Sequence, residues 1–454
     1  MSVDVSTRPV GRAESSPGQA QSWTVGLRAR LRQLARGEAT PDRLRRACAV
    51  LVLGCLVAGV VSLVAGINRT RAVTDGGERI GGIVADAAQI YRTLADADAM
   101  ATSGFVSGGQ EPPAIRARYD ADITRASAGL VDAAGKLPAD DPAAAPVATL
   151  AEKLPVYTSL VETARVYNRQ NLPLGQSYLS TASKLMATEM LPAAAKLRSL
   201  QTAALNDAFD TGGGIPWAPV VTLLAAIAAV ADVSLRERKR TNRVVSPGLA
   251  VTAGALAVAL IWWIVASVIA GTGLSAADRH AAVASALDDA STAVLQARSN
   301  ESLVLAARNS GGGGDSVYVD QLKKVLGDDG NGGLLAAAAA DADPESTAGI
   351  DGIRTAAKDW QAAHAAVRKL DDGGEYAKAV ASAIGTDSAG SGSRFDQLDA
   401  ALTKAVDAER AAFADAAGRA GAGLIGLAGG PAVLALVAAA GAVAGLGRRI
   451  GEYR

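Results

Sequence analysis

Four long stretches without an acidic or basic residue constrain this chain more than any other feature of its sequence. They are Cys48–Ile67, Ile215–Leu235, Gly248–Gly271 and Ala420–Leu446, and the only charge within them is Asp232, one turn from the end of the second. A helix rises about 1.5 Å per residue, so about 20 apolar residues cross a hydrocarbon core of roughly 30 Å. A charge at the bilayer centre costs a few kcal/mol, which is why soluble domains rarely need such windows and spanning helices do. The expected fold class is an all-α membrane protein with four transmembrane helices.

The formal net charge is zero, with 45 basic and 45 acidic residues, but the two signs are segregated. Segment 1–47 carries nine Arg against four acids, the link 236–247 five bases against Glu237, and the tail 447–454 three bases against Glu452. These three parts hold +11 and the rest of the chain −11. Basic residues beside spans stay cytoplasmic. The N-terminal segment, link and tail are therefore expected inside a cell membrane, and segments 68–214 and 272–419 outside. Arg69, Arg71 and Arg419 are the exceptions. The basic region before the first span and the span itself are both too long for a cleaved signal peptide. Val52-Leu53-Gly54-Cys55 loosely resembles a lipoprotein processing site, but a dozen apolar residues follow, so 48–67 reads as a membrane anchor.

The expected order is 1–47 basic cytoplasmic segment, 48–67 first span, 68–214 first external segment and 215–235 second span. The link 236–247, the third span 248–271, the second external segment 272–419, the fourth span 420–446 and the tail 447–454 complete it. Both external segments are rich in Ala and Leu, with almost no alternating β-branched or aromatic runs, and read as two tandem extracytoplasmic four-helix bundles. In the first, Ile80, Ile83, Ala87, Ile90, Leu94, Ala97, Ala101 and Gly104 follow steps of three and four, a coiled-coil-like seam. Further helices are expected near 114–137, 143–170 and 174–208, with kinks or breaks at Pro155 and Pro192. In the second, helices are expected near 275–308, 317–326, 344–370 and 375–419, the last running straight into the fourth span. Gly426, Gly430 and Pro431 in that span mark either a hinge or a tight packing point.

Catalysis finds little support. There are two His, His280 and His364, and no Cys outside the spans, so no metal cluster of usual spacing is expected. No catalytic residue, cofactor or nucleic-acid partner is expected. Gly311–Gly314 lacks the Lys-Ser or Lys-Thr of a phosphate loop, and Asp328-Asp329-Gly330 lacks the Glu that completes a calcium loop. His364 reads as a bundle residue beside Trp360 and Val367. Continuing the register Val283, Leu287, Ala290, Val294 and Ala297 brings Glu301 onto the buried face, followed by Val304 and Arg308. Two readings stay open: a satisfied buried ion pair that sets helix register, or a polar site of Arg298, Asn300, Glu301 and Arg308 for a zwitterionic ligand or a switchable network. On the cytoplasmic side Trp23, Leu27, Leu31 and Leu34 recur every three to four residues among Arg28, Arg30, Arg32 and Arg36, a pattern for an interfacial helix on anionic lipid. A disordered basic tail and a docking site for a cytosolic protein are the alternatives.

The stretch Tyr167-Asn168-Arg169-Gln170-Asn171-Leu172-Pro173-Leu174-Gly175, followed by Tyr178-Leu179, Leu191-Pro192-Ala193-Ala194 and Ala297-Arg298-Ser299-Asn300-Glu301-Ser302-Leu303, resembles the actinobacterial GlnX-type membrane sensors. The resemblance implies four membrane helices, two external four-helix bundles and no catalytic residues. It implies as partners an extracytoplasmic solute-binding lipoprotein of the glutamine-binding type and a cytosolic Ser/Thr kinase regulating nitrogen metabolism. Tyr167, Asn168 and Arg169 join Arg298, Asn300, Glu301 and Arg308 as candidate ligand- or partner-binding residues. The external segments are also similar to chemoreceptor-type four-helix sensor domains. Only about twelve residues lie between the second and third spans and eight after the fourth, so any output is expected to be borrowed from a partner. The leading expectation is a non-enzymatic transmembrane signal transducer, with homo-oligomers among its expected assemblies. A structural scaffold of the cell envelope is the alternative; a transporter is disfavoured because the spans hold no charge clusters.

Overall fold

The computed structural model describes residues 40–107, 110–138, 140–241, 246–307, 315–385 and 387–451, and among these every regular element is helical. The helices of the first half are α1 (Thr40–Thr74), α2 (Gly81–Val106), α3 (Pro113–Lys136), α4 (Ala144–Arg169), α5 (Leu174–Leu185), α6 (Leu191–Gly213) and α7 (Trp217–Thr241). Two π-helical turns, Asp75–Ile80 and Met186–Met190, join α1 to α2 and α5 to α6. The second half contains α8 (Pro247–Ala306), α9 (Asp315–Leu326), α10 (Gly333–Asp341), α11 (Pro344–Asp372), α12 (Tyr376–Ile384), α13 (Ser391–Gly423) and α14 (Gly430–Gly451). Four helical stretches, Leu44–Val106, Leu174–Arg236, Pro247–Ala306 and Gly430–Arg448, are long and apolar enough to cross a membrane.

The chain divides into two compact units. The first takes the chain up to Leu63, Trp217–Ile261 and the chain from Gly429 onward. Its outward faces are apolar, with Val50, Leu53, Val60, Val221, Val251 and Val433 exposed. Such a surface suits lipid and not water. Its tightest approach lies between α8 and α14. A Cβ on Gly248 would stand 2.4 Å from the Gly445 Cα and 2.6 Å from the Gly441 carbonyl oxygen, so only glycine lets these backbones meet. Thr252 Oγ1 donates across the same seam to the Ala438 carbonyl at 3.0 Å.

The second unit comprises Val64–Pro216 and Trp262–Ala428, and within it the two long segments do not form separate cores. One apolar cluster takes in Ile90, Leu94, Leu150, Tyr157 and Met186 together with Leu287, Val294, Trp360, Phe395 and Leu402. A helix in an isolated four-helix bundle buries one stripe. Here α2 buries every residue from Thr93 to Gly104, and α8 buries Ala290–Leu295 and Ala297–Ser299. The expected pair of bundles is thus a single unit with α2 and α8 at its centre. Their registers run in parallel 200 residues apart: Ile83 with Val283, Ala87 with Leu287, Leu94 with Val294, Ala97 with Ala297.

Several sequence expectations are corrected. Pro155 lies inside an unbroken α4 with its ring on the exposed face. Pro192 stands in the first turn of α6, directly after the π turn Met186–Met190, so the irregularity expected there takes the form of a π turn and not of a helix end. The helix expected over 375–419 is two helices, α12 and α13, because Gly385 and Gly390 fold back onto the carbonyls of Ala381 and Ser382. An additional helix, α10, follows the turn at Gly327–Gly332. The last helix of this segment does not run into the fourth span: Leu424–Gly429 forms turns, with Gly426 at φ +80° against Trp262. Arg69, an exception to the charge rule, is buried and donates to the Gly214 carbonyl at 2.9 Å, covering the end of α6.

Candidate functional site

The seam between α2 and α8 is apolar over its first turns and then becomes polar. Asp98 on α2 is buried and accepts from Tyr157 Oη of α4 at 3.2 Å, Ser183 Oγ of α5 at 2.9 Å and Ser299 Oγ of α8 at 2.6 Å. Burial pushes the Asp98 carboxyl up, and the three hydroxyl donors pull against it. One turn further, Ser103 of α2 and Ser302 of α8 share a hydrogen bond of 3.0 Å. A buried polar layer of this kind fixes register, because sliding either helix by a turn strands acceptors in apolar surroundings.

Beside it lies a second cluster, built on Glu301. The heptad-like register of α8 carries this carboxylate inward, leaving its side chain 1% exposed. Arg298, one turn earlier, grips Oε2 at 2.5 Å and donates its other terminal nitrogen to the Ala383 carbonyl of α12 at 2.6 Å. Oε1 accepts from Ser391 Oγ of α13 at 2.6 Å and lies 3.0 Å from His364 Nδ1 of α11. Burial alone would raise the Glu301 carboxyl; Arg298, His364 and Ser391 outweigh it and hold the group below the usual carboxylate range. His364 Nε2 meets Asp315 of α9 at 3.0 Å, and its ring stacks on Tyr318 at a centroid distance of 3.6 Å. Trp360 Nε1 donates to Ser391 Oγ at 3.0 Å. The carboxylate is therefore held by α8, α11 and α13, while α12 and α9 bond to its partners Arg298 and His364. Of the expected polar site, Arg298 and Glu301 are brought together, Asn300 is half-buried with no partner for Oδ1, and Arg308 lies outside the described residues.

Ion pairs at the margins tie the halves together. Arg118 of α3 bridges Asp96 of α2 and Asp399 of α13, at 2.8 and 2.6 Å, and Arg92 of α2 reaches Asp399 at 2.9 Å. Arg198 of α6 pairs with Asp289 of α8, Arg410 of α13 with Asp288 of α8 at 2.9 Å, and His280 Nδ1 of α8 lies 2.7 Å from Glu409 of α13.

Tyr167, Asn168 and Arg169 occupy a different place, the last turn of α4. Tyr167 stacks on Tyr178 of α5 at 5.5 Å, Asn168 Nδ2 donates to the Phe105 carbonyl at 2.8 Å, and Arg169 is exposed. Asn171 turns the corner at φ +53°, a left-handed conformation that Asn tolerates better than most residues. The membrane-surface candidates Trp23, Arg28, Arg30 and Arg32 lie outside the described residues. An open cavity of 540 Å³ is lined by Phe209, Asp210, Gly214, Leu274 and Asp278, none of which belongs to the polar clusters. Among the described residues no group of three His, Cys, Asp or Glu is arranged to hold a metal. Asp96, Asp98, His364 and Ser391 were not candidates from sequence. The first two sit off the single stripe that a lone bundle helix would bury, and the last two meet Glu301 only across 63 and 90 residues.

Residues 72–210 match the family model described as an actinobacterial sensor domain. No curated protein and no solved structure matches the chain. The matched stretch runs through α2–α6, and so includes Asp98, Tyr157 and Ser183 but none of the Glu301 cluster. It supports a sensor protein of actinobacterial type, and the four apolar helices fit a multi-pass membrane protein.

Proposed function

We propose that this chain is a non-enzymatic transmembrane signal transducer, whose second unit lies outside the cytoplasm and whose basic segments engage a cytosolic effector. The sensor-domain match carries the reading. Two physical features support it. Helix α8 continues without interruption from an apolar stretch of spanning length to Ser299 and Ser302 of the polar layer, whereas α1 leads to α2 through the π turn Asp75–Ile80. Rigid helices of this kind carry piston, tilt or rotation movements. The break at Leu424–Gly429 separates α13 from α14, a place where such movement can be taken up.

The finer reading follows the resemblance to GlnX-type sensors: an extracytoplasmic solute-binding lipoprotein as input, and a cytosolic Ser/Thr kinase in amino-acid or nitrogen metabolism as output. The exposed turn at Arg169–Leu174 suits contact with a protein partner, since Leu172 and Leu174 are exposed beside the stacked Tyr167 and Tyr178. Crosslinking in native membranes under varied amino-acid supply, followed by purification, tests it. Recovery of both a binding lipoprotein and a kinase is the expected result; recovery of neither counts against it. A scaffold of the cell envelope is the second reading, favoured by how fully the Glu301 and Asp98 carboxylates are bonded from within. Cysteines placed in α1 and α14 discriminate the two: crosslinking that never changes with nutrient supply supports the scaffold.

A further inference from the structure

Where α2, α3 and α13 meet, charged side chains crowd together. From α2 come Arg92 and Asp96, from α3 Arg118, Asp122 and Arg125, and from α13 Asp396 and Asp399. Asp96, Asp122 and Asp399 are buried, whereas Asp396 is exposed and also faces Arg298 of α8. On α4, Arg165 and Glu162 stand near Tyr119, one turn before Asp122, and pair with each other at 2.7 Å.

Asp122 is wholly buried. One of its oxygens takes Arg125, while Oδ2 meets no donor. Oδ1 of Asp96 lies 2.8 Å from an Arg118 nitrogen but off the N–H direction, and it too has no hydrogen bond. Two buried acceptors without donors, on neighbouring carboxyls, have a simple remedy. A protonated carboxyl is a donor where a carboxylate is not, and two buried carboxylates in contact do not both ionise. Burial first, then the Asp96 charge, push the Asp122 carboxyl up to about 8, against the pull of Arg125 and Arg118.

We propose that Asp96 and Asp122 form a proton-binding site, in which Asp122 carries the proton at neutral pH and donates it through Oδ2 to Asp96. In alkaline solution the proton passes to water, leaving two adjoining carboxylates whose repulsion loosens α3 from α2 and α13. The site differs from the Glu301 cluster, and it stands or falls independently of the sensor reading.

Infrared spectra of the full-length protein in lipid nanodiscs, with Asp labelled by carbon-13, test the proposal. The expected result is a label-sensitive stretch of a protonated, buried carboxyl near neutral pH that vanishes in alkali and is missing from Asp122→Asn. The melting temperature of the wild type should fall as pH rises from 3.8, the ordinary Asp value, through the range in which the band is lost, and Asp122→Asn should flatten that fall. Asp96→Asn removes the neighbouring charge, so the midpoint at which the band is lost should move to lower pH. A band unchanged in Asp122→Asn, melting curves of wild type and Asp122→Asn that fall in parallel, or an unmoved midpoint in Asp96→Asn would each overturn it.

Discussion

Removing Arg298 while leaving Glu301 in place isolates the energetics of the buried pair. The Glu301 side chain is 1% exposed and its Oε2 faces Arg298 at 2.5 Å, so water cannot replace the lost guanidinium. Breaking a buried pair by deleting one partner costs about 3–5 kcal/mol, because the remaining charge stays desolvated. Arg298→Met keeps much of the apolar stem but also forfeits the cation–π contact with Phe395 at 5.3 Å, worth about 0.5–1 kcal/mol or more when desolvated. At roughly 2 °C per kcal/mol for a domain of this size, the melting temperature should fall by about 6–10 °C. The double variant Arg298→Met/Glu301→Leu removes both charges and should recover most of that loss. Circular dichroism melts of the full chain in nanodiscs supply the readout. A pH series adds a sign. The Glu301 carboxyl is held below its ordinary 4.5 in the folded protein, so its contribution is present above that value and is lost as pH falls through the folded value. The deficit of Arg298→Met should therefore narrow in acid, as Glu301 takes a proton. A single variant within about 1 kcal/mol of wild type, or a double variant no better than the single, would refute the assignment of Arg298 as the counter-charge.

Three further outcomes are expected. Gly426→Ala forces a side chain into φ +80° and should cost about 1–2 kcal/mol, seen as a lower melting temperature, whereas Gly429→Ala, with nothing within 4 Å of its Cβ, should not. Gly248→Val should separate α8 from α14 and weaken an engineered disulfide across that seam; Gly254→Val, whose Cβ meets open space, is the control. Asp98→Asn should reduce pH sensitivity. Burial raises the folded Asp98 carboxyl above 3.8, so the native state holds a proton that the unfolded chain has released, and stability falls as pH rises from that value through the folded one. Melting curves across this range, compared between wild type and variant, read out the difference.

Much of the fold is legible in local sequence. The apolar windows locate all four candidate spans, since the cost of a charge in hydrocarbon acts residue by residue. The helices are legible too, and the three-and-four spacing through Val283, Leu287, Val294 and Ala297 carries Glu301 inward, where it is found. Gly426 could be marked as either a hinge or a packing point, and its left-handed backbone settles it as a break in the helix.

Less of the site is legible. Asp96 and Asp98 read as solvated positions on α2 when a single buried stripe is assumed, yet both are buried, Asp96 against Arg118 of α3 and Asp98 among hydroxyls of α4, α5 and α8. His364 reads as an ordinary bundle residue, and Ser391 follows a glycine turn with no signal of its own. Only folding brings both to Glu301. The sequence by itself determined what each segment is: helix, apolar span, or amphipathic connection. The tertiary structure alone decided that the two connections share one core and which distant groups satisfy each buried charge. Helicity and hydropathy are sums over neighbours along the chain, whereas the Glu301 carboxylate takes its partners from α8, α11 and α13, whose meeting no local spacing encodes.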